Sequence, residues 1–318
     1  MFVIESMTKN DGTETHDVKI RKLAALVKAV EQGSFTKAAA ALNYTQSGIS
    51  RMIADVEAEW GVVLLERGRS GVTLTSDGLK LFPQIQRVCN ERELLIAQVD
   101  DLRGCQSGLI RIGAFSSVAT HWLPDMVRAF RETHSKVDFE ILLGDYSEIE
   151  SWIHEGRVDF GFLRLPTDMP FETVSLEERD RLLVILPEGH PLAGCDAFPM
   201  KALEEEPFML LEKGGKAEIS AVFERNGLTP RVFFTTWDDY AIMAMVEKGL
   251  GISILPELIL QRVPYRIVAK ELEKPAYRNI GIAMRSRRHL PSAAKRFLGY
   301  LPQGRRIAAD LPPDSPQP

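Results

Sequence analysis

SFTKAAAALNYTQSGISRMIADVE, residues 34–57, reads as two short helices joined by a tight turn, and the rest of the chain is organised around that unit. At about 100° per residue, Ile49, Met52, Ile53, Val56 and Trp60 fall on one side of the second helix, a face made to be buried. Gln46, Ser47, Ser50, Arg51 and Ala54 fall on the other. A solvated helix face usually carries Glu and Lys pairs. This one carries short hydrogen-bonding groups, a Gln and one Arg, a surface that can approach base edges and phosphates closely.

The helix ends agree with that reading. Ser34 is placed to cap the first helix, with Phe35 turned into the core. Lys37 sits where a capping box would place Glu, and a cation at the positive end of a helix is mildly unfavourable. A phosphate would supply the missing negative charge, helped by the free amides of the same turn. Ala38 to Ala41 let the two helices approach, Asn43 can adopt the left-handed conformation that ends the first, and Thr45 caps the second. A helical hairpin that served only a larger core would seldom combine these caps, this turn and a bare polar face.

Outward from this unit, the 318 residues allow two or three domains with sizeable cores, and 45% hydrophobic with 26% charged residues is an ordinary globular composition. Net charge is -5. Between residues 17 and 75, eight basic residues face six acidic ones, a weak basic bias. DNA affinity would therefore come from placed contacts and from dimerisation rather than from bulk charge. Cys89, Cys105 and Cys195 form no CxxC and no His–Cys spacing, so neither structural zinc nor a disulfide framework is expected, and a reducing compartment fits. No leader peptide and no membrane span is read, which makes a cytoplasmic location the expectation.

Ile20, Leu23, Leu26, Val27 and Val30 recur at helical spacing and predict a first helix ended by Gly33. After Gly61, the apolar runs 62–65 and 72–75, separated by ERGRSG, predict a wing hairpin whose tip carries Arg67 and Arg69 for phosphate or minor-groove contact. Residues 76–103 predict one long helix with Leu79, Phe82, Ile85, Cys89, Ile96, Val99 and Leu102 on a stripe and Pro83 bending an early turn. No neighbouring segment is long enough to cover that stripe, so a second copy of the helix is its natural partner. GCQSG at 104–108 reads as a hinge. From Leu109, strands and helices alternate: LIRIGAF, VDFEILL, VDFGFL and RLLVILP, then FMLL, RVFF and ISILP, with a return through RIVAKEL and NIGIAMR to a last helix at 292–301. Two lobes of mostly parallel α/β structure, crossed and recrossed by the chain, imply a cleft for a small molecule.

These residues carry a family resemblance. The run from SFTKAAAALNYTQSGISRMIADVEAEW to GVVLLERGRSGVTLTSDG resembles the N-terminal signature of LysR-type transcriptional regulators, and EKGLGISILPE, RIGAFSS and the LP at 123–124 are similar to that family's sensing domain. The resemblance spans nearly the whole chain. It implies a winged helix-turn-helix, a linker helix used for dimerisation, and a two-lobed α/β effector domain of the type II periplasmic-binding-protein kind, in a cytoplasmic and usually tetrameric regulator. Ser34, Thr36 and Lys37 match the family's phosphate-contacting helix start, and Gln46, Ser47, Ser50 and Arg51 match its reading face. Ser47 departs from the family's usual Pro, and Gly48 costs up to about 1 kcal/mol in a helix interior relative to Ala.

The organisation expected is a frayed N-terminus at 1–16, a winged helix-turn-helix at 17–75, a linker helix at 76–103, a hinge at 104–108, an effector-binding domain at 109–301 and a disordered tail at 302–318. Lobe I would take about 109–187 and 264–301, and lobe II about 188–263. The function expected is a DNA-binding switch on two-fold related half-sites, acting as a dimer or tetramer and gated by a small effector with no cofactor and no metal. Topology places Ser116 and Ser117 after the first strand, Arg164 after the third, and Trp237, at the effector site. The serines with the helix amides would suit a carboxylate, and Arg164 could pair with it in bidentate fashion. An ion pair for Arg164 and a core role for Trp237 stay open. The competing class is a two-lobed enzyme acting on a small acid, but no HExxH, GxSxG or complete phosphate loop is present, and EKGGKA at 212–217 lacks the required first Gly and the Ser or Thr. A solute-binding protein would need export, and a redox sensor has only Cys195 in the lobes and Cys105 in the hinge.

Overall fold

The structure, a computed structural model, describes residues 20–68, 71–102, 108–212 and 218–301. The chain divides into two compact units, Met1–Glu93 and Leu94–Pro318. The expected frayed N-terminus and tail lie outside the described residues, as do Arg69, Cys105 and the expected hinge apart from Gly108.

In the first unit, α1 (Ile20–Gln32), α2 (Phe35–Leu42) and α3 (Gln46–Trp60) close around Leu23, Leu26, Ala29, Phe35, Ala38, Ile49, Ile53 and Val56. The predicted caps are present. Ser34 Oγ accepts from the Lys37 amide at 3.4 Å, Asn43 ends α2 at φ 57°, and Thr45 Oγ1 accepts from the Gly48 amide at 3.1 Å. The small side chains Ala25, Ala29 and Ala38, all fully buried, let α1 and α2 pack closely.

The wing is β1 (Leu65–Gly68) paired antiparallel with β2 (Gly71–Leu74). Its first strand therefore starts at the end of the predicted run 62–65. The reason is a side chain: Glu57 Oε1 accepts from the amides of Leu64 and Leu65 at 2.7 and 3.0 Å, which turns the chain off α3 before pairing can begin. Thr75 then hydrogen-bonds back to Val63 O at 2.7 Å and accepts from the Gly78 amide at 2.9 Å, opening α4 (Ser76–Leu102). At 27 residues α4 is about 40 Å long and continues through Pro83. Its stripe divides. Phe82, Ile85 and Cys89 pack on the first unit's core, whereas Leu79, Ile96 and Val99 are exposed.

Gly78 is a point where only glycine fits, because a Cβ there would lie 2.2 Å from Leu64 O. Gly78→Ala should therefore force the wing and the start of α4 apart. We expect a loss of about 1–3 kcal/mol, seen as a lower urea midpoint for the first unit. An unchanged midpoint would show that the contact relaxes without cost.

The second unit is built on a six-stranded sheet in the order β4-β3-β5-β10-β6-β9, comprising β3 (Gly108–Ala114), β4 (Val137–Leu143), β5 (Phe160–Leu165), β6 (Glu172–Pro187), β9 (Ser253–Pro256) and β10 (Ile267–Met284). Two further strands, β7 (Pro207–Leu211) and β8 (Arg231–Thr236), pair in parallel. β3 is parallel to both β4 and β5, as the alternating pattern requires, but β10 is antiparallel to β5 and to β6. The segments expected as separate return strands, RIVAKEL and NIGIAMR, are one strand with register shifts after Glu271 and Asn279.

Helices α5 (Ser116–His121), α6 (Leu123–Thr133), α7 (Tyr146–His154) and α11 (Ser292–Phe297) share one core with β3, β5 and the C-terminal end of β10. Helices α8 (Ala202–Glu205), α9 (Glu218–Asn226) and α10 (Asp239–Glu247) form the other lobe with Leu182, Val184, Ile185 and Leu186 of β6. The long strands thus change lobes between Leu176 and Leu182 on β6, and between Leu272 and Ile280 on β10. That is earlier on β6 and later on β10 than the expected boundaries at 187/188 and 263/264. The expected last helix, 292–301, ends its α-helical part at Phe297 and finishes as a 3-10 turn. No helix among the described residues is long and apolar enough to cross a membrane.

Candidate functional site

Two surfaces merit attention, one in each unit. In the first, α3 turns Ile49, Ile53 and Val56 inward, which leaves Gln46, Ser47 and Arg51 exposed and Ser50 half-buried. Thr36 and Lys37 are exposed at the start of α2, beside the half-buried cap Ser34. Elsewhere in this unit Lys22 pairs with Asp55 at 3.0 Å and Lys28 with Glu31 at 2.9 Å, while Arg21, exposed on α1 away from this face, is like Lys37 and Arg51 in forming no ion pair among the described residues. Among the described residues neither Lys37 nor Arg51 has an ion-pair partner, so both charges are presented to whatever meets this face. Ser47 is close to the cap, its Oγ 3.2 Å from Thr45 Oγ1. The backbone of Arg67 belongs to β1, while its side chain lies outside the described set.

In the second unit, a cavity of about 140 Å³ opens between the lobes. All four residues expected at an effector site, Ser116, Ser117, Arg164 and Trp237, line it. Trp237 is 46% exposed, which removes it from the core. The Arg164 side chain forms no hydrogen bond or ion pair among the described residues.

The centre of the cavity is a residue that sequence reasoning missed. Arg278 on β10 stands directly opposite Asp180 on β6, both under 10% exposed. Its Nε donates to Asp180 Oδ2 at 2.7 Å, Nη2 to Ser117 Oγ at 2.7 Å and Nη1 to Tyr146 Oη at 3.1 Å, and its guanidinium stacks 4.8 Å from the Phe115 ring. Burial works against this charge, yet Tyr146, Asp180 and Glu218 outweigh it and hold the guanidinium above its ordinary pKa. Burial likewise raises Asp180, opposed by Arg278 and by the Leu258 amide, which donates at 2.9 Å.

Two hydrogen bonds join the lobes across the cavity. Tyr146 on α7 donates to Glu218 Oε1 at 2.6 Å on α9, and the Ser116 hydroxyl hydrogen-bonds to Asp239 at the start of α10. Burial pushes the Asp239 carboxyl up to about 6, against the pull of Arg278 and Ser116. Both serines are thus engaged with protein groups. Among the described residues no group of three or more His, Cys, Asp and Glu is disposed to hold a metal ion. The Cys89 thiol is pushed up to about 11, chiefly by burial, so it is not a thiolate at neutral pH.

A sequence signal for Arg278 did exist. In RNIGIAM, period-two alternation places Arg278 on the same strand face as Ile280 and Ile282, both buried. A cation on a face that points inward demands a buried partner. What the sequence does not supply is the identity of that partner, 98 residues earlier.

Comparison with known proteins places these features. Residues 20–79 match the family described as "Bacterial regulatory helix-turn-helix protein, lysR family", and residues 103–306 match the "LysR substrate binding domain". The chain is 32% identical to YvbU of Bacillus subtilis, an uncharacterized HTH-type transcriptional regulator, over 88% of this chain and 96% of that one. It is 35% identical to LrrA of Synechococcus elongatus, a probable HTH-type transcriptional regulator, over 84% of this chain and 90% of that one. The crystal structure of HinK, a LysR family transcriptional regulator from Pseudomonas aeruginosa, superposes with a TM-score of 0.55 at 27% identity, covering 89% of this chain and 97% of that one.

Proposed function

The chain belongs to the LysR family of bacterial helix-turn-helix regulators, and from that membership we propose how its two units divide the work. It is a DNA-binding transcriptional regulator with an effector-binding domain. The reading face is Gln46, Ser47, Ser50 and Arg51 on α3, with Ser34, Thr36 and Lys37 holding a phosphate and the wing arginines Arg67 and Arg69 reaching the flanking backbone. The observation that carries this is the pair of exposed cations without ion-pair partners, Lys37 and Arg51, on a face otherwise made of short polar groups.

The exposed stripe of α4, with Leu95 at 62% and Ile96 and Val99 beside it, supports pairing with a second copy. A dimer sets two reading helices on two-fold related half-sites, and a tetramer follows if two dimers join. The effector sits in the cavity lined by Ser116, Ser117, Arg164 and Trp237. A ligand there meets both lobes, so the inter-lobe bonds Tyr146–Glu218 and Ser116–Asp239 are the contacts it would strengthen or replace. Coupling is reciprocal, typically about 1–3 kcal/mol: a ligand that alters operator affinity is itself bound with altered affinity on DNA. This reading assigns the chain no catalysis and a cytoplasmic location, where the DNA is. A thiol switch is not part of this reading, since Cys195 is the single cysteine of the lobes and burial keeps the Cys89 thiol protonated.

The test is a gel-shift titration of the purified protein against the intergenic DNA beside its own coding region, with and without a panel of small acids and amino acids. Retardation that changes footprint with one compound is the expected result. No retardation by folded protein at low salt would return the two lobes to the enzyme reading.

A further inference from the structure

The charge around the cavity is lopsided. Its lining carries six carboxylates, Asp145, Glu150, Asp168, Glu212, Glu218 and Asp239, against the guanidiniums of Arg164 and Arg278. Arg278 is largely committed to the protein, since three of its five N–H groups donate to Asp180, Tyr146 and Ser117 and the Asp180 carboxylate matches its charge, so Arg164 is the cation left to meet an incoming anion. The hydrogen bonds to the lining acids come largely from hydroxyls: Tyr146 to Glu218, Thr167 to Glu150, Ser220 to Glu212 and Ser116 to Asp239. A hydroxyl satisfies an oxygen without neutralising its charge. Asp239 is such a carboxyl: burial drives it up, and the pull of Arg278 and of the Ser116 hydroxyl does not offset that.

Resting on the effector-sensor reading above, we infer that the ligand of this cavity is a small zwitterion of the amino-acid class, its ammonium group set against Asp239 and Glu218 and its carboxylate against Arg164. A bare divalent cation is the other way to balance clustered acids, but no metal-holding group exists among the described residues. A simple carboxylate would satisfy Arg164 and leave the acidic wall worse off than before. The size agrees. A cavity of about 140 Å³ takes a benzene-sized molecule, and this one is open enough for a few further atoms.

The experiment is calorimetric titration of the full chain with the twenty common L-amino acids, each beside the carboxylic acid that lacks its amino group. At least one amino acid should bind, with its deaminated counterpart weaker by roughly tenfold or more. Asp239→Asn and Glu218→Gln should each weaken that binding by a similar factor, and Arg164→Ala should weaken it as well. Asp239→Glu keeps the charge and should retain the preference for the amino group, which separates lost electrostatics from misfolding. Equal or tighter binding of the deaminated acids, no binding by any amino acid, or indifference to Asp239→Asn and Glu218→Gln would overturn the inference. The gel shift keeps the two readings apart: DNA binding modulated by a plain acid leaves the sensor standing and removes the ammonium, whereas absence of DNA binding removes the sensor itself.

Discussion

Replacing Arg278 by alanine is expected to destabilise the two-lobed unit by about 3–5 kcal/mol, the cost of leaving a buried charge without its partner. The side chain removed is 6% exposed and stands opposite Asp180, itself 7% exposed, where the two long strands pass from one lobe to the other. Asp180 would keep only the Leu258 amide as a described donor, while Ser117 and Tyr146 would each lose a hydrogen bond. For a unit of this size such a loss lowers the melting point by roughly 6–20 °C. Urea unfolding followed by tryptophan fluorescence reads it well, since Trp122, Trp152 and Trp237 lie in the second unit and only Trp60 in the first. The double variant Arg278→Met with Asp180→Leu should recover at least half of the loss, because apolar groups of similar volume carry no desolvation penalty. Additive losses in the double variant would show that the pair does not act as a pair. Arg278→Lys keeps the charge but cannot span three acceptors, so it should fall between wild type and alanine.

That pair also shows where reading a sequence stops. The helix-turn-helix is local chemistry: Ser34, Asn43 and Thr45 each act within three or four residues of their own position, and their caps stand where residue type put them. The faces of α3 follow from the same short period. The wing is less local. Glu57, in the last turn of α3, reaches the amides of Leu64 and Leu65 and delays the first strand, a contact that no strand propensity contains. In the second unit the alternation of strands and helices was legible, and it put Ser116, Ser117, Arg164 and Trp237 around one cavity by the rule that ligands meet the carboxyl ends of strands. The lengths of β6 and β10 were not. Each carries charged or turn-forming residues in its middle, such as Glu177 and Glu178, or Glu273, Lys274 and Pro275, which read as breaks between strands.

The acidic wall was missed for a related reason. Glu212 after β7, Glu218 on α9 and Asp239 on α10 come from one lobe, and Asp145 and Glu150 from the other, so no window of sequence shows them together. Each alone reads as a helix cap or a solvated charge. Asp145 and Glu148 do form a capping box on α7, which is the bland role and a sufficient one for that position. Only convergence on one cavity gives the set a further meaning.

Arg51→Ala should lower specific DNA affinity by about 1–3 kcal/mol per half-site, hence about 2–6 kcal/mol for a dimer, at least roughly thirtyfold in Kd. The residue is exposed and without an ion-pair partner among the described residues, so its removal should leave folding untouched and thermal melting unchanged. Its effect should depend on sequence: a base contact discriminates, and losing it relaxes the preference at one position of each half-site. Gln46→Ala should behave in the same way at a neighbouring position. Lys37→Ala provides the contrast, since a phosphate contact weakens all sequences alike and reduces the slope of log K against log salt by about 1 for each copy bound. Binding measured at three salt concentrations on the operator and on a scrambled duplex separates the two kinds of loss. If Arg51→Ala kept wild-type affinity and preference, α3 would not be the reading helix. If Arg51→Ala and Lys37→Ala changed only the salt slope, both would be phosphate contacts and specificity would have to come from Gln46, Ser47 and Ser50, or from the shape of the DNA.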